Sequence, residues 1–145
     1  MGLDMYLYKK TFVWRDGDNP AKVEVSGGGM EKVKPERIQY VVEEVGYWRK
    51  ANHIHAWFVD NVQDGVDECQ TSYVPPEKLQ ELLALCRQVL ADPGQAEALL
   101  PTRSGFFFGG VEYDDAYVED LVATVKILEE ALAEPGGNYE YHSSW

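Results

Sequence analysis

A cation, an imidazole and an indole recur every four residues between positions 46 and 61. In an α-helix over 47–62, Arg49, His53 and Trp57 would share one solvent-facing stripe. The remaining residues of the helical period would face the core: Ala51, Ile54, His55, Phe58 and Val62. A guanidinium, an imidazole and an indole on an exposed face can hold a planar anion. The stretch therefore predicts a binding site for an anionic small molecule.

A second candidate segment is the glycine-flanked stretch 103–110. Arg103 and Ser104 could hold a phosphate while a neighbouring phenylalanine stacks on a base. On a strand, Phe106 and Phe108 would instead point into the core and Phe107 would point away. A buried aromatic strand between turn glycines is therefore the alternative interpretation.

The predicted ligand-binding set joins these two segments. Its cations would contact phosphate, an indole would stack on the base, and its amides and imidazole would read polar edges. The set comprises Trp48, Arg49, Lys50, Asn52, His53, Trp57, Asn61, Arg103 and Ser104. No cofactor and no catalytic residue is assigned.

Two short segments resemble metal-binding motifs. The pair His53 and His55 would diverge on a helix, so it predicts no shared metal, and His55 is expected to be a hydrogen-bonded core residue. Residues 60–68 resemble half of a calcium loop, but apolar Val62 stands at a ligand position. A divalent-cation site built from three aspartates is the alternative for this segment: Asp60, Asp64 and Asp67.

Catalysis is one of three functional hypotheses that the sequence supports. A hydrolase or phosphodiesterase would use His53 or His55 with Asp60 or Asp64, since imidazole and carboxylate lie within about two helical turns. No nucleophile elbow, metalloprotease motif, kinase set or Walker sequence accompanies them.

The charge and length of the chain limit which other functions are compatible with the sequence. The 145 residues include 25 acidic and 13 basic side chains, a net charge of −12. Contact with a nucleic-acid backbone needs a basic surface, so no nucleic-acid partner is predicted. An acidic, aromatic surface that inhibits a basic host protein is the alternative function. No signal peptide or membrane span is evident, so we expect a soluble, intracellular protein.

The pattern of elements predicts one α+β domain over 1–145. Strands are expected at 4–14, 22–25 and 139–145, and at 38–45, where the β-branched residues favour a strand over the alternative of a short helix. Helices are expected at 47–62, from Pro75 to about 91, and from Asp114 to about 134. The predicted helix that begins at Pro75 carries a clear apolar stripe: Leu79, Leu82, Leu83, Cys86, Val89 and Leu90. We expect a small antiparallel sheet from both chain ends, covered on one face by about three helices.

Five blocks together resemble a family of small phage and prophage proteins: MGLDMYL (1–7), EVGYWRKAN (44–52), WFVDNVQDG (57–65), SGFFFG (104–109) and SSW (143–145). The resemblance runs nearly end to end. It implies a phage setting, in which small proteins modulate the host or counter its defences, and a cytoplasmic location in the bacterial host. The family has no established activity, so no site residue is carried over. The leading hypothesis is a non-enzymatic protein that sequesters a nucleotide or a nucleotide-derived signal.

Overall fold

Strands from both ends of the sequence meet at the centre of one antiparallel sheet. The computed structural model describes residues 2–105, 107–134 and 136–145. The strands are β1 (Asp4–Phe12), β2 (Tyr40–Arg49), β3 (Ser72–Val74) and β4 (Asn138–Ser144), in the order β2-β1-β4-β3. The predicted α+β class, with a sheet built from both termini, is confirmed.

Helices cover one face of this sheet. They are α1 (Asn52–Val62), α2 (Pro76–Ala91), the single turn α3 (Ala96–Leu99) and α4 (Asp115–Ala133). Short 3-10 turns lie at Met30–Lys32, Pro35–Arg37 and Pro93–Gln95. None of the helices in the described ranges is long and apolar enough to cross a membrane.

The alternation of apolar and polar residues explains which face of β1 is covered. Met5 and Leu7 are fully buried against the helices, whereas Tyr6 and Tyr8 on the opposite face are partly exposed. In α2 the predicted stripe is buried apart from the partly exposed Leu90. The two patterns together place the core between one sheet face and the helices.

Helix α4 begins where the sequence predicts, because the Asp114 side chain accepts a hydrogen bond of 3.1 Å from the Tyr117 backbone N–H. Its buried residues are Tyr117, Leu121, Thr124, Leu128 and Ala131. Val118, next to Tyr117 in the sequence, is 39% exposed and lies outside this buried stripe.

The predicted helix over 47–62 is wrong at its start. Strand β2 continues to Arg49, because Tyr47 and Arg49 pair with Tyr6 and Asp4 of β1, and α1 begins only at Asn52. Pairing with a neighbouring strand overrides the local helical period here. The strand at 38–45 is confirmed in type and extends further than predicted.

Several smaller predictions differ from the structure or lie outside the described residues. Residues 22–25 form no strand, whereas the short β3 was not predicted. Phe108 is buried and Phe107 partly so, in a turn rather than a strand. The expected inward position of Phe106 and the helix stop at Pro135 lie outside the described residues.

Candidate functional site

Two adjoining clefts open where the end of β2, the first turn of α1, the segment 101–114 and the first turns of α4 come together. The larger has a volume of about 270 Å³ and the smaller about 140 Å³. His53 and Thr102 line both. The larger cleft lies just below the range of small-molecule sites, roughly 300–1,000 Å³.

Two neighbouring cations form one side of the larger cleft. Arg49, the last residue of β2, also forms a 2.9 Å ion pair with Asp4. Lys50 lines the cleft and makes no ion pair with any described residue. Its φ of 58° is a left-handed conformation that a lysine adopts at a cost of about 1–2 kcal/mol. Backbone hydrogen bonds hold this conformation, since the Lys50 N–H donates to the Leu3 carbonyl at 2.7 Å and the Lys50 carbonyl accepts from the Asn52 N–H at 2.9 Å.

Glycines on both sides make room for these cations. A Cβ on Gly2 would lie 2.8 Å from Nη2 of Arg49 and 2.9 Å from Cε of Lys50. A Cβ on Gly109, whose φ is +79°, would lie 3.2 Å from Cβ of Lys50. The Arg49 and Lys50 side chains therefore lie directly against glycine backbone, which restricts the positions that the guanidinium and the ammonium can occupy.

His53 is the central polar group of the site. It is 3% exposed, its ring stacks on Tyr117 with centroids 4.1 Å apart, and its Nε2 has no hydrogen-bond partner among the described residues. Burial lowers the pKa of His53 to about 4, although a hydrogen bond with the Tyr117 backbone opposes this. His53 lines both clefts, and its unpartnered Nε2 is an unusual feature, since buried polar groups are usually hydrogen-bonded.

Asn52 does not read a ligand; its amide holds the loop that closes the larger cleft. Its Nδ2 donates to the carbonyl oxygens of Phe108 (2.9 Å) and Gly110 (2.7 Å), and its Oδ1 accepts from the Arg103 backbone N–H at 3.0 Å. The side chain is 2% exposed. Both amide hydrogens are thus already used, which makes Asn52 a positioning residue.

The opposite side of the larger cleft is acidic, which the sequence did not reveal. It carries four carboxylates: Glu112, Asp114, Glu119 and Asp120. Burial, followed by the charges of Glu119 and Asp114, raises the pKa of Asp120 to about 6. Asp114 caps α4, but the cap residue still faces this cleft. A bound molecule would meet positive charge on one side and hydrogen-bond acceptors on the other.

The smaller cleft holds three more of the predicted residues. Trp57, 7% exposed, and Asn61 line it, and Asn61 Nδ2 donates to the Trp57 carbonyl at 2.9 Å. Arg103 also lines it and forms an ion pair with Asp60. Only a small edge of the indole is accessible, so a contact with a ligand would involve that edge and not the full ring face.

Two predicted residues lie outside both clefts. Trp48 is 3% exposed and its Nε1 donates to Thr124 Oγ1 at 2.8 Å, so it is a core residue and cannot stack on a ligand. Ser104 is exposed but lines neither cleft. The seven others do come together, although not on the single exposed helical face that was predicted: Arg49 lies on β2, and His53 and Trp57 are buried.

His55 is the hydrogen-bonded core histidine that was expected. It is completely buried, with Nδ1 2.6 Å from the Tyr141 hydroxyl and Nε2 2.9 Å from Asp67 Oδ2. Asp67 also accepts from Trp145 Nε1 at 3.0 Å. His55 is completely buried and lines neither cleft, whereas His53 and Asp60 line the smaller one.

The aspartate metal site is not formed. Asp60 pairs with Arg103 and Asp67 with His55, and within the described ranges no group of three His, Cys, Asp or Glu residues is placed to hold a metal ion. The alternative based on Asp60, Asp64 and Asp67 is therefore wrong.

Comparison with protein-family models, with curated proteins and with solved structures finds no match for this chain. The resemblance to small phage proteins stays a prediction.

Proposed function

We propose that this protein binds, without catalysis, a small molecule that carries an anionic group at one end and hydrogen-bond donors at the other. A nucleotide with an amino-bearing base, or a signal derived from one, has this chemistry. The observation that carries the proposal is a cleft with cations on one side and carboxylates on the other, lined also by His53, whose buried Nε2 has no hydrogen-bond partner among the described residues.

The anionic end of the ligand would lie against Lys50 and Arg49. Helix α1 adds to the positive potential there, because it begins at Asn52 with no side-chain cap and no acidic residue in its first turn. Helix α4, in contrast, has both Asp114 and Asp115 at its start. A phosphate therefore fits the α1 side of the cleft.

The donor end would lie against Glu112, Glu119 and Asp120. Carboxylates accept hydrogen bonds from exocyclic amino and ring N–H groups, as they do when proteins read cytosine or other bases. Four acidic residues outnumber the two basic ones in this cleft, so a polyanion without donors would be repelled. The site thus favours a mononucleotide-like molecule over a longer phosphate chain.

The phage setting gives this binding a purpose. A small phage protein that holds a nucleotide signal would withdraw it from a host defence, and needs no turnover to do so. This part of the proposal rests on the resemblance of the sequence blocks, whereas the ligand chemistry rests on the cleft.

Calorimetry and thermal shift against mono-, di- and cyclic nucleotides, with nucleosides and inorganic phosphate as references, test the proposal. We expect binding by nucleotides that bear an exocyclic amino group, and weaker binding by uridine and thymidine nucleotides. Lys50→Gly should weaken binding roughly tenfold or more, the scale of a lost charged hydrogen bond. The same variant relieves the left-handed backbone at position 50, so its Tm should equal or exceed that of the wild type.

Lys78→Ala is the matched control, because Lys78 lies on α2 and pairs only with Glu81; its affinity should equal that of the wild type. Glu119→Gln should reduce the preference for amino-bearing bases. The proposal is overturned if no nucleotide raises the Tm, or if Lys50→Gly binds as tightly as the wild type. Mass spectrometry of the incubated nucleotides should show no product, and conversion of any of them would establish catalysis instead.

A further inference from the structure

The sheet face that no helix covers carries a continuous aromatic surface. The register of β1 with its neighbours places Tyr6 beside Tyr47 and His142, and Phe12 beside Tyr40. Tyr6 and Tyr8 stack in parallel at 5.8 Å, and Phe12 and Tyr40 meet edge-on at 5.5 Å. Along β1 this surface extends over roughly 27 Å at about 3.4 Å per residue.

Much of this surface is open to solvent. Tyr73 is 56% exposed, Val42 57%, Phe12 50% and Tyr40 45%. A contiguous exposed apolar surface on a small protein commonly marks an interaction site. Tyrosine is also a residue type enriched at the centres of protein interfaces.

The charges on this sheet face favour one kind of binding partner over others. Its two cations are already occupied: Arg49 pairs with Asp4 at 2.9 Å, and Lys10 lies 4.0 Å from Glu140. Glu44, next to Tyr8 across β1 and β2, makes no ion pair with a described residue. Among the residues that the structure describes, the strands of this face therefore offer rings and a free carboxylate, and no unpaired cation, within a molecule of net charge −12.

Two occupants fit this charge badly. Single-stranded nucleic acid uses aromatic platforms, but it also needs a positive groove that follows the phosphates. A second copy of the chain would bring another 12 net negative charges to the same surface. A cation, in contrast, fits the rings of this surface: Lys10 Nζ already lies 4.4 Å from the centroid of Tyr40.

We infer that the open face of the sheet is a docking surface for an arginine-rich segment of a partner protein, whose guanidinium groups stack on the exposed tyrosines. Arginine suits this surface better than lysine because its planar group stacks on rings and is more weakly hydrated. The inference is independent of the nucleotide proposal, because the face and the His53 cleft share only Arg49.

Binding of a capped peptide of alternating arginine and valine, followed by NMR and calorimetry, tests the inference. A peptide with citrulline in place of arginine has the same shape without the charge. We expect the arginine peptide to bind roughly tenfold or more tightly than the citrulline peptide, and to shift the amide signals of β1, β2 and β4. Tyr40→Thr combined with Tyr73→Thr should weaken it by a similar factor.

Val122→Thr is the control for loss of an exposed apolar group, since Val122 is 54% exposed on α4; this variant should bind the peptide like the wild type. Equal binding of the arginine and citrulline peptides would overturn the inference, as would an undiminished affinity in the double tyrosine variant. Tighter binding of oligothymidine at this face would assign it to nucleic acid. Self-association that the double variant abolishes would assign it to a second copy.

Discussion

At the scale of single residues, the buried imidazole of His53 couples stability to pH. Its pKa is about 4 in the folded protein and 6.5 ordinarily. Between these values the unfolded chain binds a proton at this position and the native protein does not. The contribution of His53 to stability is therefore complete above pH 6.5 and is lost as the pH falls toward 4, by about 3 kcal/mol in total.

His53→Phe should remove this contribution while keeping a ring against Tyr117. Urea unfolding of both proteins between pH 7.5 and 4 measures it: the free energy of unfolding of the variant should fall by about 3 kcal/mol less than that of the wild type. His55, whose pKa burial also lowers, and Asp120, whose pKa burial raises, are present in both proteins. Parallel pH curves for the two proteins would contradict the prediction.

At the scale of elements, one amide fastens the loop before α4 to the start of α1. Asn52→Ala removes hydrogen bonds to Phe108, Gly110 and Arg103 and leaves part-buried backbone groups unpaired. We expect a loss of about 3 kcal/mol in the free energy of unfolding, together with faster amide hydrogen exchange in the segment 103–110.

Asn61→Ala is the matched control on the same helix. Asn61 is exposed and donates only to the Trp57 carbonyl within α1, so its removal should cost about 0.5 kcal/mol or less. Equal destabilisation by the two alanine variants would show that Asn52 does not hold the loop.

At the scale of the whole molecule, β4 joins the sheet together, because it pairs with β1 on one side and β3 on the other. Its Tyr139, Tyr141 and Ser143 are buried against the helices. A chain that stops after Gly137 should lose cooperative thermal unfolding and near-ultraviolet circular dichroism, since β3 would have no partner strand and the core would be open.

Removal of Trp145 alone is the control. It leaves β4 intact and deletes a 44% exposed side chain with one hydrogen bond to Asp67, so the protein should remain folded with a loss of about 1 kcal/mol. A cooperative transition in the chain that stops after Gly137 would contradict the prediction.

The two charged sides of the larger cleft differ in how visible they are in the sequence. Segments that are continuous in sequence, such as the stretch around Arg49 and His53, were found because unusual residue types cluster there. The acidic side of the cleft was missed, since Glu119 and Asp120 lie more than 60 positions from His53 and look like solvent-exposed residues of an amphipathic helix. Trp48 and Asn52 were assigned to the ligand because their residue type, and not their burial, was visible.

The sequence alone determined the elements whose patterns are local: the alternation of β1, the apolar stripe of α2, the capped start of α4 and the strand at the C-terminal end. Each depends on contacts between near neighbours and on a regular burial period. Only the tertiary structure decided that residues 47–49 continue a strand, because pairing with β1 stabilises the extended backbone there and outweighs the local helical period. The same holds for the cleft, whose charges come from segments distant in sequence that packing brings together.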